Sequence, residues 1–321
     1  MSDLCVTLRT PRGPAQALRN VNFTLSRGET LGLIGESGCG KSLTALALMG
    51  LLPTGAQVEG SIALAGQELV GLNESALCGL RGNRIAMIFQ EPMTALNPLH
   101  TIGAQIGESL RLHRGMGRAA ARAEALRLLD RVKLPNAAQR LDAYPHQLSG
   151  GQRQRVTIAI ALACGPELLI ADEPTTALDV TIQSEILTLI DDLVRDSGMA
   201  LLMISHDLGV MARMVSRMLV MYAGSVVESG PTGAVFDQLA HPYTRGLFAA
   251  RPRLGTPRID GRKPRLATIP GRVPELIDLP AGCAFAERCA WAIDACRAAL
   301  PPAMRIAGTH DARCIRVGEI A

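Results

Sequence analysis

The chain has 321 residues, of which 48% are hydrophobic, 19% charged and 3% aromatic. A net charge of +4 with so few aromatic side chains argues against a nucleic-acid partner. The mean hydropathy is high, at +0.19, yet the longest apolar run (156–164) is too short for a membrane-spanning helix, which needs about 20 residues. The N-terminus lacks the pattern of a secretory signal, so we expect a protein of the cytoplasm or of a membrane's inner face.

The predicted elements alternate between strands and helices along most of the chain. Helical spacing predicts helices in the region from Gly103 to about Val132 and at Ile182–Arg195. Alternating or continuous apolar runs predict strands. These are Leu4–Leu8, Val21–Leu25, Thr30–Ile34, Ser61–Leu64, Arg84–Phe89, Leu168–Ala171 and Ala200–Ile204. This alternation predicts an α/β fold with a mostly parallel sheet covered on both faces.

The composition changes in the last quarter of the chain. From about His241 to Pro280 the chain is rich in Pro and Arg and shows little periodicity, which indicates an irregular arm. Four cysteines then crowd into the last forty residues. We therefore predict a domain boundary near residue 240, with residues 1–240 as one domain and 241–321 as an extension.

A glycine-rich segment lies between the strand predicted at Thr30–Ile34 and a helix-forming run. Strand, glycine-rich loop and helix in this order are the setting of a phosphate-binding loop. Glycines let several N–H groups face one anion, and the helix N-terminus adds positive potential. We predict a nucleoside triphosphate here, with Lys41 on its β- and γ-phosphates and Ser42 on Mg²⁺. The loop residues are Gly35, Glu36, Ser37, Gly38, Cys39, Gly40, Lys41 and Ser42.

Polar side chains follow three of the predicted strands, at the edge where a parallel sheet binds ligands. We predict Asp172 in the Mg²⁺ shell and Glu173 as the catalytic group that orients or polarises the attacking water. Gln90 is placed to touch the metal or that water, and His206 to donate a hydrogen bond to the γ-phosphate. Alone, Gln90 is typical of a surface amide and His206 of a structural histidine.

A second glycine pair precedes a predicted helix at Arg153–Cys164. Ser149, Gly150, Gly151 and Gln152 form the segment before it, and a helix N-terminus of this kind offers exposed N–H groups to an anion. One chain would then carry two phosphate-binding elements. That arrangement makes sense if the second completes a nucleotide site on another subunit.

Together these motifs resemble the ATPase subunit of an ATP-binding-cassette (ABC) transporter. The resemblance rests on GESGCGKS, Gln90, LSGGQ, LLIADE, Ala177-Leu178-Asp179 and His206, and covers residues 1 to about 240. It implies a P-loop NTPase core with a helical subdomain inserted at about 91–165 and a small N-terminal antiparallel sheet. It also implies a head-to-tail dimer in which the Lys41 loop of one subunit and the Ser149 loop of the other enclose ATP, with Asp179 helping to place Glu173.

Two further segments resemble the importers of dipeptides, oligopeptides and nickel. They are FQEPMTALNP, which begins at Phe89, and HPYTRGL, which begins at His241. The resemblance implies two permease subunits, a second ATPase subunit, for which a paralogue is favoured over an identical copy, and a periplasmic or lipid-anchored solute-binding protein. It implies a peripheral protein on the cytoplasmic face of the inner membrane. Import of nickel or glutathione, or less readily a soluble ATPase acting on nucleic acid, stays an alternative.

The late cysteines have the spacing C-x5-C-x6-C-x17-C, from Cys283 through Cys289 and Cys296 to Cys314. A reducing cytoplasm favours metal binding over disulfides. Four thiolates suit either Zn²⁺ or an iron–sulfur cluster. The missing C-x2-C pairs disfavour zinc, and free thiols are a third alternative. The resemblance to peptide-importing members implies a [4Fe–4S] cluster.

One feature departs from the family pattern. The family stacks adenine on an aromatic residue about 25 positions before the phosphate-loop lysine, whereas this chain has Pro14-Ala15-Gln16-Ala17 there. The adenine contact is then weaker, or Arg12 or another group supplies it. Loss of such stacking costs about 1 kcal/mol, so we expect the phosphate contacts to carry binding.

Overall fold

The computed structural model describes residues 1–176, 178–251 and 267–320. Ala177 of the predicted Ala177-Leu178-Asp179 motif and residues 252–266 of the predicted arm lie outside this range. The strands are β1 (Ser2–Thr10), β2 (Gly13–Val21), β3 (Thr30–Ile34), β4 (Gln57–Ser61), β5 (Ala63–Leu64), β6 (Gln67–Glu68), β7 (Ile85–Ile88), β8 (Leu168–Asp172), β9 (Ala200–Ile204), β10 (Arg217–Tyr222), β11 (Ser225–Pro231), β12 (Met304–Ala307) and β13 (His310–Ala312).

The described helices range from one turn to five. They are α1 (Lys41–Met49), α2 (Glu74–Leu80), α3 (Pro92–Ala95), α4 (Ile102–Arg114), α5 (Arg118–Arg131), α6 (Ala137–Arg140), α7 (Gly150–Leu162), α8 (Val180–Ser197), α9 (Leu208–Met214), α10 (Thr232–Asp237), α11 (Pro242–Ala249) and α12 (Asp294–Ala298). Short 3₁₀ turns occur at Pro145–Gln147 and Ala286–Arg288.

An eight-stranded sheet organises the fold, in the order β12-β13-β11-β10-β3-β9-β8-β7. Strands β10, β3, β9, β8 and β7 are parallel, and the remaining pairs are antiparallel. Both β8 and β9 are buried along their whole length, as expected of strands covered on two faces. Successive β9 side chains enter different hydrophobic clusters, Leu201 and Met203 in one and Leu202 and Ile204 in the other. The predicted α/β fold is confirmed.

A separate sheet, ordered β2-β1-β4, covers part of the nucleotide-loop face of the main sheet. The prediction of a strand at Val21–Leu25 is wrong, because the second strand is β2 and ends at Val21. Strand β1 turns back at Pro11-Arg12, so that Thr10 pairs with Gly13. Beyond β2, Phe23 and Leu25 pack half-buried against the hydrophobic cluster that contains Leu4 and Leu18, and Phe23 exchanges two backbone hydrogen bonds with Met1.

The helices from α3 to α7 all lie between β7 and β8. The predicted helical region from Gly103 to Val132 forms two helices, α4 and α5, because Gly115 ends α4 in a left-handed conformation at φ 63°. The two helices pack closely, with Gly107 lying against Ala121. No described helix is both long and apolar enough to cross a membrane.

The C-terminal part of the chain joins the main sheet at β11, the last strand of the sheet before position 240. Residues Glu228 and Ser229 of β11 pair with β13, and β12 pairs with β13. Glu228 is fully buried and accepts hydrogen bonds from the backbone N–H groups of Ala240 (2.9 Å) and His241 (2.8 Å). Its Oε1 also lies 2.8 Å from Nε2 of His310. The main sheet therefore continues into residues beyond the predicted boundary at 240.

Candidate nucleotide site

The glycine-rich loop wraps the space between β3 and α1. Gly35 has φ 153°, and a Cβ there would lie 2.3 Å from the carbonyl oxygen of Met221. Gly40 caps α1 at φ 106°, a left-handed conformation that glycine adopts without strain. Only glycine fits these two positions, and the loop leads directly into the N-terminus of α1, where helix N–H groups are available to an anion.

Lys41 is buried, and its ammonium group is held inside the loop. Its Nζ donates to the carbonyl oxygens of Gly35 (2.8 Å) and Glu36 (3.0 Å). The loop opens into a cavity of about 710 Å³, which Ser42 also lines. Of the predicted loop residues, Cys39 is buried and does not line this cavity.

Asp172 ends β8 behind Ser42 and is only 4% exposed. Its Oδ1 has no hydrogen-bond partner among the described residues. Burial raises the pKa of Asp172, although Ser42 opposes the shift. A buried, unpaired carboxylate oxygen beside a hydroxyl is the oxygen donor set that Mg²⁺ takes in phosphate sites. The residues present therefore fit Mg²⁺ with ATP.

The side chain of Glu173 contacts the other two predicted catalytic residues. Gln90 donates to its Oε2 (3.1 Å), and Nδ1 of His206 lies 3.1 Å from its Oε1. Thr176 also donates to Oε2 at 3.1 Å. Glu173 has φ 47°, a strained conformation for a non-glycine residue of the kind that clusters at functional sites. Gln90, Glu173 and His206 all line the loop cavity.

The charge of Glu173 is set by opposing influences. Burial alone would raise its pKa, but the hydrogen bond and charge of His206, with help from Thr176 and Lys41, bring the pKa below its usual value. The side chain is therefore an ionised carboxylate at neutral pH. A carboxylate in this position can accept a hydrogen bond from water at the mouth of the loop.

The second predicted phosphate element lies away from this cavity. Ser149 caps α7, with its Oγ accepting from the N–H of Gln152 (3.4 Å) and the Gln152 side chain accepting from the N–H of Ser149 (3.1 Å). Neither these two residues nor Gly150 and Gly151 line the cavity. Asp179 likewise caps α8 through the N–H of Ile182. The structure thus brings together one half of the predicted site and leaves the other half elsewhere on the chain.

No aromatic residue (Phe, Trp or Tyr) is among the described residues that line the cavity, whose apolar lining includes Leu8, Ala17, Leu247 and Leu276. Arg12, a predicted substitute, instead forms ion pairs with Glu275 and Asp278. Two of these residues, Leu247 and Leu276, lie beyond position 240 and were not predicted as part of the site.

The four late cysteines also converge. Cys283, Cys289, Cys296 and Cys314 line one small cavity, of about 20 Å³, together with His241 and Trp291. Burial raises the pKa of Cys283 to about 11, and it raises those of Cys289 and Cys314. Within the described ranges, no three His, Cys, Asp or Glu side chains are gathered tightly enough to hold a single metal ion.

Two residues at the loop were not predicted. Tyr243 accepts a hydrogen bond from the backbone N–H of Glu36, and Arg288 forms an ion pair with the Glu36 carboxylate. Tyr243 belongs to the HPYTRGL segment, which the sequence analysis noted without a role. Arg288 stands in a region without helical or strand periodicity, so no local pattern pointed to it.

Comparison with known proteins places this geometry in a family. Residues 18–176 match the ABC transporter family, and residues 227–296 match the family described as oligopeptide/dipeptide transporter, C-terminal region. A peptide import ATP-binding protein of Brucella melitensis is 52% identical over the whole chain and 97% of its own length. The oligopeptide transport ATP-binding protein OppD of Salmonella typhimurium is 51% identical over 94% of this chain and 88% of its own.

A solved structure agrees with the fold. The dimeric ATP-binding cassette MJ0796, in a post-hydrolysis state with ADP and Pi, has a TM-score of 0.63 and 29% identity. The match covers 72% of this chain and 97% of the other. With the loop, the Mg²⁺ donors and the Glu173 cluster in place, the chain belongs to the ABC transporter family, as an ATP-hydrolysing cassette that uses ATP and Mg²⁺ and carries the oligopeptide/dipeptide-type C-terminal region.

Proposed function

We propose that this chain is the ATPase subunit of a peptide importer, and that it hydrolyses ATP at an interface between two ATPase subunits. The observation that carries the proposal is the split of the site. Lys41, Ser42, Gln90, Glu173 and His206 share one cavity, whereas the Ser149 helix end lies outside it. A second subunit that presents its Ser149–Gln152 segment to this cavity completes the enclosure of the phosphates.

The residues of the site divide into binding and catalytic groups. The loop N–H groups and Lys41 bind the phosphates, and Ser42, Asp172 and Gln90 would hold Mg²⁺, which would supply charge neutralisation to the phosphates. Glu173 accepts a proton from the water, positioned by its contacts with Gln90 and His206. His206 donates a hydrogen bond toward the γ-phosphate.

The proposed assembly sits on a membrane without entering it. Residues 1–240 form the cassette, residues 91–165 provide the helical region that faces two permease subunits, and residues 241–321 form the extension. A paralogous ATPase is the second subunit, and a periplasmic or lipid-anchored solute-binding protein delivers the solute. Closure of the ATPase pair on ATP and its reopening after hydrolysis drive the permeases. The protein is then peripheral on the cytoplasmic face of the inner membrane.

Peptides are the favoured cargo because the relatives described above are named for peptide import and oligopeptide transport. Nickel or glutathione import by the same machinery is the alternative. We expect detergent-solubilised membranes to yield the tagged chain with two permeases, and proteoliposomes of this complex to take up peptide only with ATP. Recovery with nucleic acid instead of permeases would contradict the proposal, and uptake of nickel alone would support the alternative.

We further propose that Cys283, Cys289, Cys296 and Cys314 hold a [4Fe–4S] cluster. One observation supports it: the four thiols line one small cavity. The spacing, which lacks C-x2-C pairs, disfavours zinc as the alternative.

Iron content and colour test the cluster directly. We expect anaerobically purified protein to absorb near 400 nm and to contain about four iron atoms per chain. Cys289→Ser should lose this absorption, whereas Cys78→Ser, at an exposed cysteine outside the cavity, should keep it. A colourless preparation without iron would contradict the proposal, and a zinc content near one per chain would assign the site to zinc.

A further inference from the structure

Glu36, the second residue of the phosphate loop, is held by three different parts of the molecule. Its backbone N–H donates to the hydroxyl of Tyr243 at 2.7 Å. Its carbonyl oxygen accepts from Nζ of Lys41 at 3.0 Å. Its carboxylate pairs with Arg288. Glu36 therefore joins the C-terminal extension to the lysine that is proposed to bind the phosphates.

The pairing of Arg288 with this carboxylate is bidentate and largely shielded from water. Nη1 of Arg288 lies 2.7 Å from Oε2 of Glu36, and Nη2 lies 3.0 Å from Oε1. The Arg288 side chain is 4% exposed and that of Glu36 is 29% exposed. Planar two-point contacts of this kind are stronger and more directional than single hydrogen bonds.

Other contacts fix the guanidinium in place. Nε donates to the carbonyl oxygen of Pro270 (2.7 Å), and Nη1 lies 3.3 Å from the hydroxyl of Tyr222. The guanidinium carbon lies 5.7 Å from the ring centre of Tyr222 and 5.8 Å from that of Phe285. Such cation–π contacts favour the charged group at this position. Arg288 is thus positioned before any nucleotide binds.

An anionic side chain in a phosphate loop has an electrostatic consequence. Glu36 lines the same cavity as Lys41 and Ser42, so an unpaired carboxylate there would repel the phosphates of ATP. Such repulsion is strong in a partly buried site because the effective dielectric constant is low. Arg288 neutralises this charge and holds the carboxylate against the extension.

We propose that Arg288 is a positioning residue of the nucleotide site, through which the C-terminal extension sets the affinity of the phosphate loop for ATP. The inference rests on the proposed function and deepens it, since it gives the extension a role in nucleotide binding. Arg288 immediately precedes Cys289, and Phe285 beneath its guanidinium lies between Cys283 and Cys289. A rearrangement around the cysteine cavity would therefore displace Arg288, and with it the partner of Glu36.

Calorimetric titration of the full-length chain with Mg-ATP tests the proposal. Arg288→Ala should weaken binding by about tenfold to a hundredfold, because the Glu36 charge is then unpaired. Adding Glu36→Gln to Arg288→Ala should restore most of the affinity, which a merely structural loss would not do. Arg288→Lys keeps the charge without the two-point contact and should fall between the wild type and Arg288→Ala.

Arg297→Ala is the matched control, since Arg297 is in the same extension but half exposed and paired with exposed Glu287; its affinity should not change. Thermal melting without nucleotide separates folding from binding, and if Arg288→Ala does not fold, Arg288→Gln with and without Glu36→Gln carries the same comparison. Wild-type affinity in the neutral variant, or no restoration by Glu36→Gln, would overturn the inference. Failure of the wild type to bind Mg-ATP would instead overturn the proposed function.

Discussion

Replacing Glu173 by glutamine is expected to slow ATP turnover by about a hundredfold to ten-thousandfold while leaving Mg-ATP binding intact. The carboxylate is ionised and faces the cavity beside Gln90 and His206. Glutamine has the same shape but cannot accept a proton from water. The phosphate contacts of Lys41 and the loop are untouched, so ATP should accumulate on the protein. Steady-state phosphate release and nucleotide titration measure the two effects separately.

Glu185→Gln is the matched control for this substitution. Glu185 is on α8, pairs with Arg155 and lies outside the cavity, so turnover should stay at the wild-type level. Undiminished turnover in Glu173→Gln would remove the proton-accepting role from this residue. Loss of Mg-ATP binding in the same variant would show that the carboxylate serves the metal and not the water.

Placing an aspartate at Gly150 is expected to reduce turnover by the assembled transporter by about a hundredfold. The substitution puts a negative charge where α7 is proposed to meet the phosphates of the facing subunit. Within one chain it is tolerated, because a Cβ at Gly150 would meet only a methyl group of Leu178 at 3.4 Å. An acidic residue in the first turn even favours the helix. ATPase assays on the complex with its permeases and second ATPase measure the loss.

Gly233→Asp provides the comparison, since Gly233 lies in the first turn of a helix (α10) outside the proposed permease-facing region and has open space around it. It should leave turnover unchanged, and both variants should bind Mg-ATP as the isolated chain does. Normal turnover in Gly150→Asp would contradict a composite site. A fall in binding by the isolated chain would mean that the Ser149 segment acts within its own subunit.

Local patterns were sufficient for the half of the site built around the phosphate loop. Gly35 and Gly40 occur in a spacing that the backbone requires, and Asp172 and Glu173 follow an apolar run that becomes β8. Such motifs can be predicted from the sequence because they depend only on residues that are close together along the chain. The order of parallel strands then brings Gln90 to Glu173, as the predicted sheet implied.

The features that could not be predicted depend on contacts between distant segments. Arg288 and Glu36 are 252 positions apart, and no periodicity marks either as a partner of the other. Arg12 was predicted as a possible contact of the adenine base, but its guanidinium forms ion pairs with Glu275 and Asp278. The error at Val21–Leu25 has a local origin, since half-buried Phe23 and Leu25 alternate with exposed residues beyond the end of β2.

The carboxylate of Glu228 has a consequence for how this protein can be recombined with its relatives. Glu228 lies in β11, and its carboxylate accepts hydrogen bonds from the N–H groups of Ala240 and His241 and lies 2.8 Å from Nε2 of His310. If everything after position 240 were replaced by an unrelated sequence, the buried carboxylate of Glu228 would lose its partners His241 and His310. Strand β11 would also become an unpaired edge of the main sheet. A C-terminal region exchanged between such proteins would therefore have to supply its own partners for Glu228. We expect the two regions to be inherited together.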